Sequence, residues 1–302
     1  MKKIAILCII LFLASCTTTS TGTVKEDYRT GTEALAIAFE TNQPPTKQYD
    51  TEGFNVLLSI KNKGAADVGG PMDKIYLSGF DPQIITGIPT TGKNIQHLKG
   101  KDAFRPQQGD ENALAFTGTI SRLRTDSYPV RIMATACYQY ETIASPIVCV
   151  DPSPFDTTTR EKPCTPTNVA LSSQGAPVSV TAVEVEPRPG KTGLRIKIKN
   201  VGGGDAFKAE ALQKCNPYDQ KGLEYSEIDH VLLADISIGG QSITQTCRPL
   251  ENGYIRLTNG AGEVYCDYAP IGNTAYSTPL TINLKYGYRT YLYKNIEIIK
   301  TP

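Results

Sequence analysis

Histidine is almost missing from this chain of 302 residues: His97 and His230 are the only two. His97 lies in the polar stretch Asn94-Ile-Gln-His97-Leu-Lys, and His230 opens the apolar strand of Val231 and Leu233. Neither has the partner spacing of a metal centre or of a Ser-His-Asp triad, so both read as solvated or edge histidines. There is no C-x-x-C pair of the kind zinc frameworks use, and no G-x-S-x-G elbow to present a nucleophilic serine. Asp50, Glu52, Asp110, Glu111 and Asp205 lie near loops. A calcium cage, however, needs six or more converging oxygens, and no acidic loop here is that dense. These absences argue against an enzyme, and we expect no catalytic residue, no metal and no cofactor.

Charge of one sign is also lacking. Removing residues 1–15 takes away Lys2 and Lys3 and no acid, which leaves 29 basic against 30 acidic side chains. A nucleic-acid partner needs clustered Lys and Arg, so none is expected. Beyond the first residues, no apolar run is long enough to span a bilayer. Helix-period patterns are scarce, while Gly and Pro are plentiful and short alternating segments recur, which points to an all-β chain.

The N-terminus is where apolar residues do run together. Lys2 and Lys3 precede Ile4–Leu13, and Leu13-Ala14-Ser15-Cys16 follows. A basic start, about ten apolar residues and small residues before a cut site make a signal peptide over residues 1–15. The cysteine after Leu-Ala-Ser resembles the lipobox of prokaryotic lipoproteins. That resemblance implies lipidation of Cys16, a membrane partner through the lipid, and an extracytoplasmic location. Residues 16–32, rich in Thr, Ser and Gly, read as the lipidated cysteine and a flexible tether.

Eight cysteines are present. Cys8 falls in the signal and Cys16 is the lipid site. The remaining Cys137, Cys149, Cys164, Cys215, Cys247 and Cys266 read as three disulfides of an exported protein. Fifteen connectivities are open. Local spacing favours Cys137–Cys149 and Cys247–Cys266, leaving Cys164 with Cys215.

The chain repeats itself in order. Val56-x-Leu58-x-Ile60-Lys-Asn-Lys-Gly64 matches Leu194-x-Ile196-x-Ile198-Lys-Asn-Val-Gly202, a period-two strand ending in a turn. The loop Gly202-Gly-Gly-Asp205 repeats Gly64-Ala-Ala-Asp67, so it reads as a structural turn rather than a phosphate cradle. Asp73-x-Ile75-x-Leu77 matches Asp229-x-Val231-x-Leu233, and Tyr138-x-Tyr140-x-Thr142 matches Tyr286-x-Tyr288-x-Thr290. Two immunoglobulin-like domains follow, 33–152 and 165–302, joined by a linker over 153–164. In each, a last hairpin is expected, with the tyrosines facing inward and Val148 and Val150, or Ile296 and Ile298, on its return. Cys137 and Cys149 would then face one another where the second domain has Lys285 and Glu297. Tyr291 and Tyr293, nearer the tip, are the expected contact surface.

The strand ending in Lys-Asn-x-Gly resembles CARDB-type modules, immunoglobulin-like domains of bacterial and archaeal surface proteins. The mature chain also resembles uncharacterised envelope lipoproteins of archaea. The resemblance implies two tandem antiparallel β-sandwich domains and a non-enzymatic role in adhesion, binding or spacing, with an envelope protein or glycan as partner. A lipoprotein that captures sugar or peptide for uptake is the alternative.

Overall fold

A computed structural model describes residues 28–156 and 161–302. Cys16, the signal peptide and most of the tether lie outside the described residues.

Period-two patterning becomes strand throughout. The first half supplies β1 (Leu35–Phe39), β2 (Lys47–Tyr49), β3 (Gly53–Asn62), β4 (Lys74–Ser78), β5 (Ile85–Thr86), β6 (Lys93–Asn94), β7 (Glu111–Ile120), β8 (Ser127–Ala144) and β9 (Ile147–Val150). The second supplies β10 (Val169–Ala170), β11 (Val178–Arg188), β12 (Lys191–Asn200), β13 (Asp205–Phe207), β14 (His230–Ile238), β15 (Gln241–Ser242), β16 (Tyr254–Arg256), β17 (Ala261–Tyr268) and β18 (Tyr276–Ile299). Among the described residues, helix is confined to two 3-10 segments, Ala209–Cys215 and Thr244–Thr246. The chain is all-β, as the sequence indicates.

The strands form layers. One outer sheet runs β1-β3-β7-β5 and another runs β10-β11-β12-β17. Between the halves a single sheet of ten strands is continuous, with β15-β14-β18-β8-β4-β6 as its spine. Pairing is antiparallel except where β2 lies parallel to the end of β18. The first outer sheet buries Phe54, Val56, Leu58 and Phe116, and the second buries Leu194, Ile196 and Val264. They meet Ile75, Leu77, Ile132 and Leu280, Ile282, Leu284 of the central sheet in one contiguous core. Each such side chain contributes about 1.5–3 kcal/mol by leaving water.

The expected hairpin does not form. Val148 and Val150 lie on β9, which carries β8 onward and pairs with Tyr276–Pro279 of β18. In the second half, Ile296 and Ile298 lie on β18 itself, which runs 24 residues without a turn. The residue matching of the two tyrosine segments survives, but the chain direction does not reverse. Thr290-Tyr-Leu-Tyr-Lys-Asn-Ile296 has no glycine or proline to turn it. Lys285 sits opposite Glu141, and Glu297 pairs with Lys47 at 3.1 Å; the two are not partners.

β8 and β18 cross as an antiparallel pair from Ser127↔Ile299 to Ala144↔Ile282. Tyr140 faces Tyr286 and Tyr138 faces Tyr288, so Gln139↔Gly287 marks a pseudo-two-fold axis. Each half sends the tail of its last strand into the other half's sheet.

Candidate functional site

At the pseudo-axis the four repeat tyrosines close a ring. Centroids lie 6.1 Å apart for Tyr138–Tyr140, 6.0 Å for Tyr138–Tyr288, 6.3 Å for Tyr140–Tyr286 and 6.2 Å for Tyr286–Tyr288. All four are buried on the core face, as period two requires of alternate residues on one strand. Their hydroxyls do the same work in both halves. Tyr140 accepts from Ala66 N–H and Tyr288 from Gly204 N–H, each at 3.0 Å. Tyr138 accepts from Leu35 N–H of β1 at 3.4 Å and Tyr286 from Val178 N–H of β11 at 3.3 Å. Burial raises all four phenols: Tyr138 and Tyr286 well above their ordinary value, Tyr140 strongly, and Tyr288 to about 12. The neutral ring, not a phenolate, is the resting state. Its hydroxyls are committed to backbone groups of both halves, which makes it a structural centre.

The repeat asparagines complete it. Asn62 Nδ2 donates to Ala66 O and Asn200 Nδ2 to Gly204 O, both at 2.8 Å. Their Oδ1 atoms accept from Gly64 N–H and Gly202 N–H. The Lys-Asn-x-Gly signature is therefore a turn brace, and the Gly202–Asp205 loop is the structural turn the repeat suggests.

On the opposite face of the central sheet, the second half reaches over the first. Ala211, Leu212 and Cys215 of the 3-10 segment pack with Tyr76 and Cys137. Tyr218 Oη donates to Leu77 O at 2.6 Å, and Asn216 Nδ2 to Thr90 O at 3.2 Å. Cys137 is bonded to Cys215, so the strap is covalent. Cys149 is bonded to Cys164, and Cys247 to Cys266 as the spacing suggests. The expected Cys137–Cys149 and Cys164–Cys215 pairs do not form. Twelve residues of extended strand put Cys137 and Cys149 about 40 Å apart, far outside bonding range.

Neither histidine assembles a centre. His97 Nε2 lies 3.2 Å from Asp67 Oδ2 in the open. His230 is not at an exposed edge: it is 2% exposed, contacts Ile228 O through Nδ1 at 2.8 Å, and meets Tyr254 edge-on. Among the described residues, no three of His, Cys, Asp and Glu gather as a metal site, and no helix is long and apolar enough to cross a membrane.

Tyr291 and Tyr293 are 47% and 44% exposed, on the outward face of β18. Their rings meet edge-on at 5.5 Å, and the Arg131 guanidinium lies 4.0 Å from the Tyr293 centroid. Tyr49 of β2, paired with Ile299, adds a third exposed tyrosine to this side; three residues of strand were too few to read from sequence. Beneath β18, a groove of about 230 Å³ runs between it and β1, lined by Ala34, Ala36, Gly202, Tyr288, Tyr291 and Leu292.

No family model and no curated protein matches this chain. Among solved structures, the secreted serine protease VesC from Vibrio cholerae aligns at 11% identity and a TM-score of 0.20, over 86% of this chain. This chain spans about half, 51%, of that one. A structure described as manganese lipoxygenase of Gaeumannomyces graminis with partial zonadhesin of Komagataella pastoris aligns at 9% identity and a TM-score of 0.09, covering 89% and 94%. Likenesses this slight carry no argument.

Proposed function

We propose that the chain is a lipid-anchored, extracytoplasmic protein of two immunoglobulin-like halves, related to CARDB-type surface modules. In this reading it acts as a non-enzymatic binding or adhesion module of the cell envelope. One observation carries the reading: an edge-on, half-exposed tyrosine pair stands on a strand held by both halves and flanked by a covalent strap. Rigid aromatic rings on a fixed sheet give contact area at small entropic cost. Three disulfides suit an oxidising compartment.

The test is binding of the protein to isolated envelope material. Replacing both tyrosines (Tyr291→Ala with Tyr293→Ala) is expected to weaken binding at least tenfold with little change in melting temperature. Unchanged binding contradicts the contact surface. Cys16→Ser is expected to move the protein out of the membrane fraction. Capture of a sugar or peptide for uptake is the second reading, favoured by the groove at Tyr291. Hinge closure around such a ligand would have to work against the Cys137–Cys215 link.

A further inference from the structure

The edge of β18 over Thr290–Ile296 is a notch. β8 lines one edge of β18 along its whole pairing. On the other edge, β13 pairs with Gly287–Arg289 and β2 with Glu297–Ile299. No described residue pairs with the seven between. The direction of their backbone groups follows from the ends: Gly239 N–H donates to Pro279 O, Glu297 N–H to Thr46 O, and Asp50 N–H to Ile299 O. Odd-numbered residues thus face that edge, and Tyr291, Tyr293 and Asn295 direct three N–H and three C=O groups into the notch.

In the second half the edge of β11 is closed. β11, the counterpart of β1, carries β10 against Ala182 and Val183. Further along, the Gln174 side chain stands in for a strand: its Oε1 accepts from Val180 N–H at 2.9 Å and its Nε2 donates to Val180 O at 3.1 Å. The line of β8 and β9, counterpart of β18, is interrupted at Ser145-Pro146, where the Pro146 carbonyl still accepts from Leu280 N–H of β18. β18 has neither device. An unbroken edge of β-forming residues is a template for another strand unless something blunts it.

We infer that this notch takes an extended peptide segment of another protein as an added strand, hydrogen-bonded to Tyr291, Tyr293 and Asn295. The inference rests on the binding reading above and names its partner class. Seven residues of strand span about 23 Å, so the occupant contributes five to seven residues. Because β13 and β2 close the notch in the plane of the sheet, the occupant must enter and leave out of plane. A free extended segment does this; a strand embedded in a second folded copy would have to displace β2. Alternate side chains of the peptide enter the groove lined by Ala34, Ala36 and Leu292, which suits small aliphatic residues. The others lie beside Tyr291 and Tyr293 and suit aromatic residues. Main-chain bonds supply affinity and the two rows supply specificity.

A random seven-residue peptide library panned against the full-length protein in detergent tests this. Enriched peptides should alternate aliphatic and aromatic positions. They should bind at least tenfold more weakly to Tyr293→Pro, which deletes one notch N–H, and within about threefold as well to Tyr293→Phe. Asn295→Pro serves should Tyr293→Pro fail to fold. In native protein, hydrogen exchange at the Tyr291, Tyr293 and Asn295 amides should be fast and should slow when an enriched peptide is added, while the β8-bonded amides of Thr290, Leu292, Lys294 and Ile296 stay slow. No enrichment, or binding indifferent to both prolines, overturns the inference. So does slow exchange at those three notch amides without peptide, since the edge would then already be filled by this chain or a second copy. Proline-insensitive binding that is still lost on double alanine substitution of the tyrosines would keep the contact surface and remove only the added strand.

Discussion

At the scale of single residues, Asp50 is a carboxylate that couples the fold to acid. It is 2% exposed and sits between β2 and β3. It accepts from Leu123 N–H at 2.8 Å, Thr301 N–H at 2.9 Å and Thr301 Oγ1 at 2.7 Å, tying the last residues of the chain to the first half. Those bonds, led by the Leu123 amide, hold its pKa down at about 2. A carboxylate whose folded value lies below its unfolded one, near 3.9, stabilises the fold above the unfolded value. It loses that contribution as pH falls through the folded one. Melting temperature should therefore drop between about pH 4 and pH 2, and the drop should be shallower in Asp50→Asn, which starts lower at neutral pH. Identical slopes would contradict this role. The tyrosine ring offers a paired test of the repeat. Tyr140→Phe and Tyr288→Phe each leave a backbone N–H without its partner, costing about 1–3 kcal/mol in denaturant unfolding. The two losses should be alike. The inward face of these tyrosines was legible from period two alone, and the asparagine turns from Lys-Asn-x-Gly. Asp50 was not, because its partners, Leu123 and Thr301, are distant in sequence.

At the scale of elements, strands were legible where one face is buried and the other wet. Val56-x-Leu58-x-Ile60 and its repeat both became ten-residue strands. Partners were harder. A strand's own residues fix which face is buried, yet not which edge is paired, and the reading of a hairpin failed there. Ser145-Pro146 looks like a turn between two strands, but it is a break in a line that continues into the other half's sheet. The contrasting treatment of edges gives a further prediction. Gln174→Ala removes the amide that mimics a strand against Val180, and is expected to cost about 1–2 kcal/mol. It should also speed hydrogen exchange at Val180 without affecting β8. A neutral substitution would show that the edge of β11 needs no cap.

At the scale of the whole molecule, the two halves are joined by a shared sheet and a strap, and not by the linker alone. The duplication was legible in the order of its matching blocks. The crossing of the two long strands was not, since nothing local marks which half's sheet a strand tail enters. Cys137–Cys215 closes a loop with a sequence separation of 78, which in the chain-entropy treatment stabilises by about 4–5 kcal/mol, with strain often reducing the measured value. Cys137→Ser with Cys215→Ser is expected to lower unfolding free energy by about 2–5 kcal/mol. Both halves should still unfold in one transition, because β8 and β18 remain paired; two separate transitions would contradict the shared sheet. The most direct test of the joined architecture is the disulfide map of the purified, unreduced protein after proteolysis. It should contain Cys137–Cys215, Cys149–Cys164 and Cys247–Cys266. A Cys137–Cys149 peptide would mean that each half ends in its own hairpin, and the crossing of β8 and β18 would be wrong.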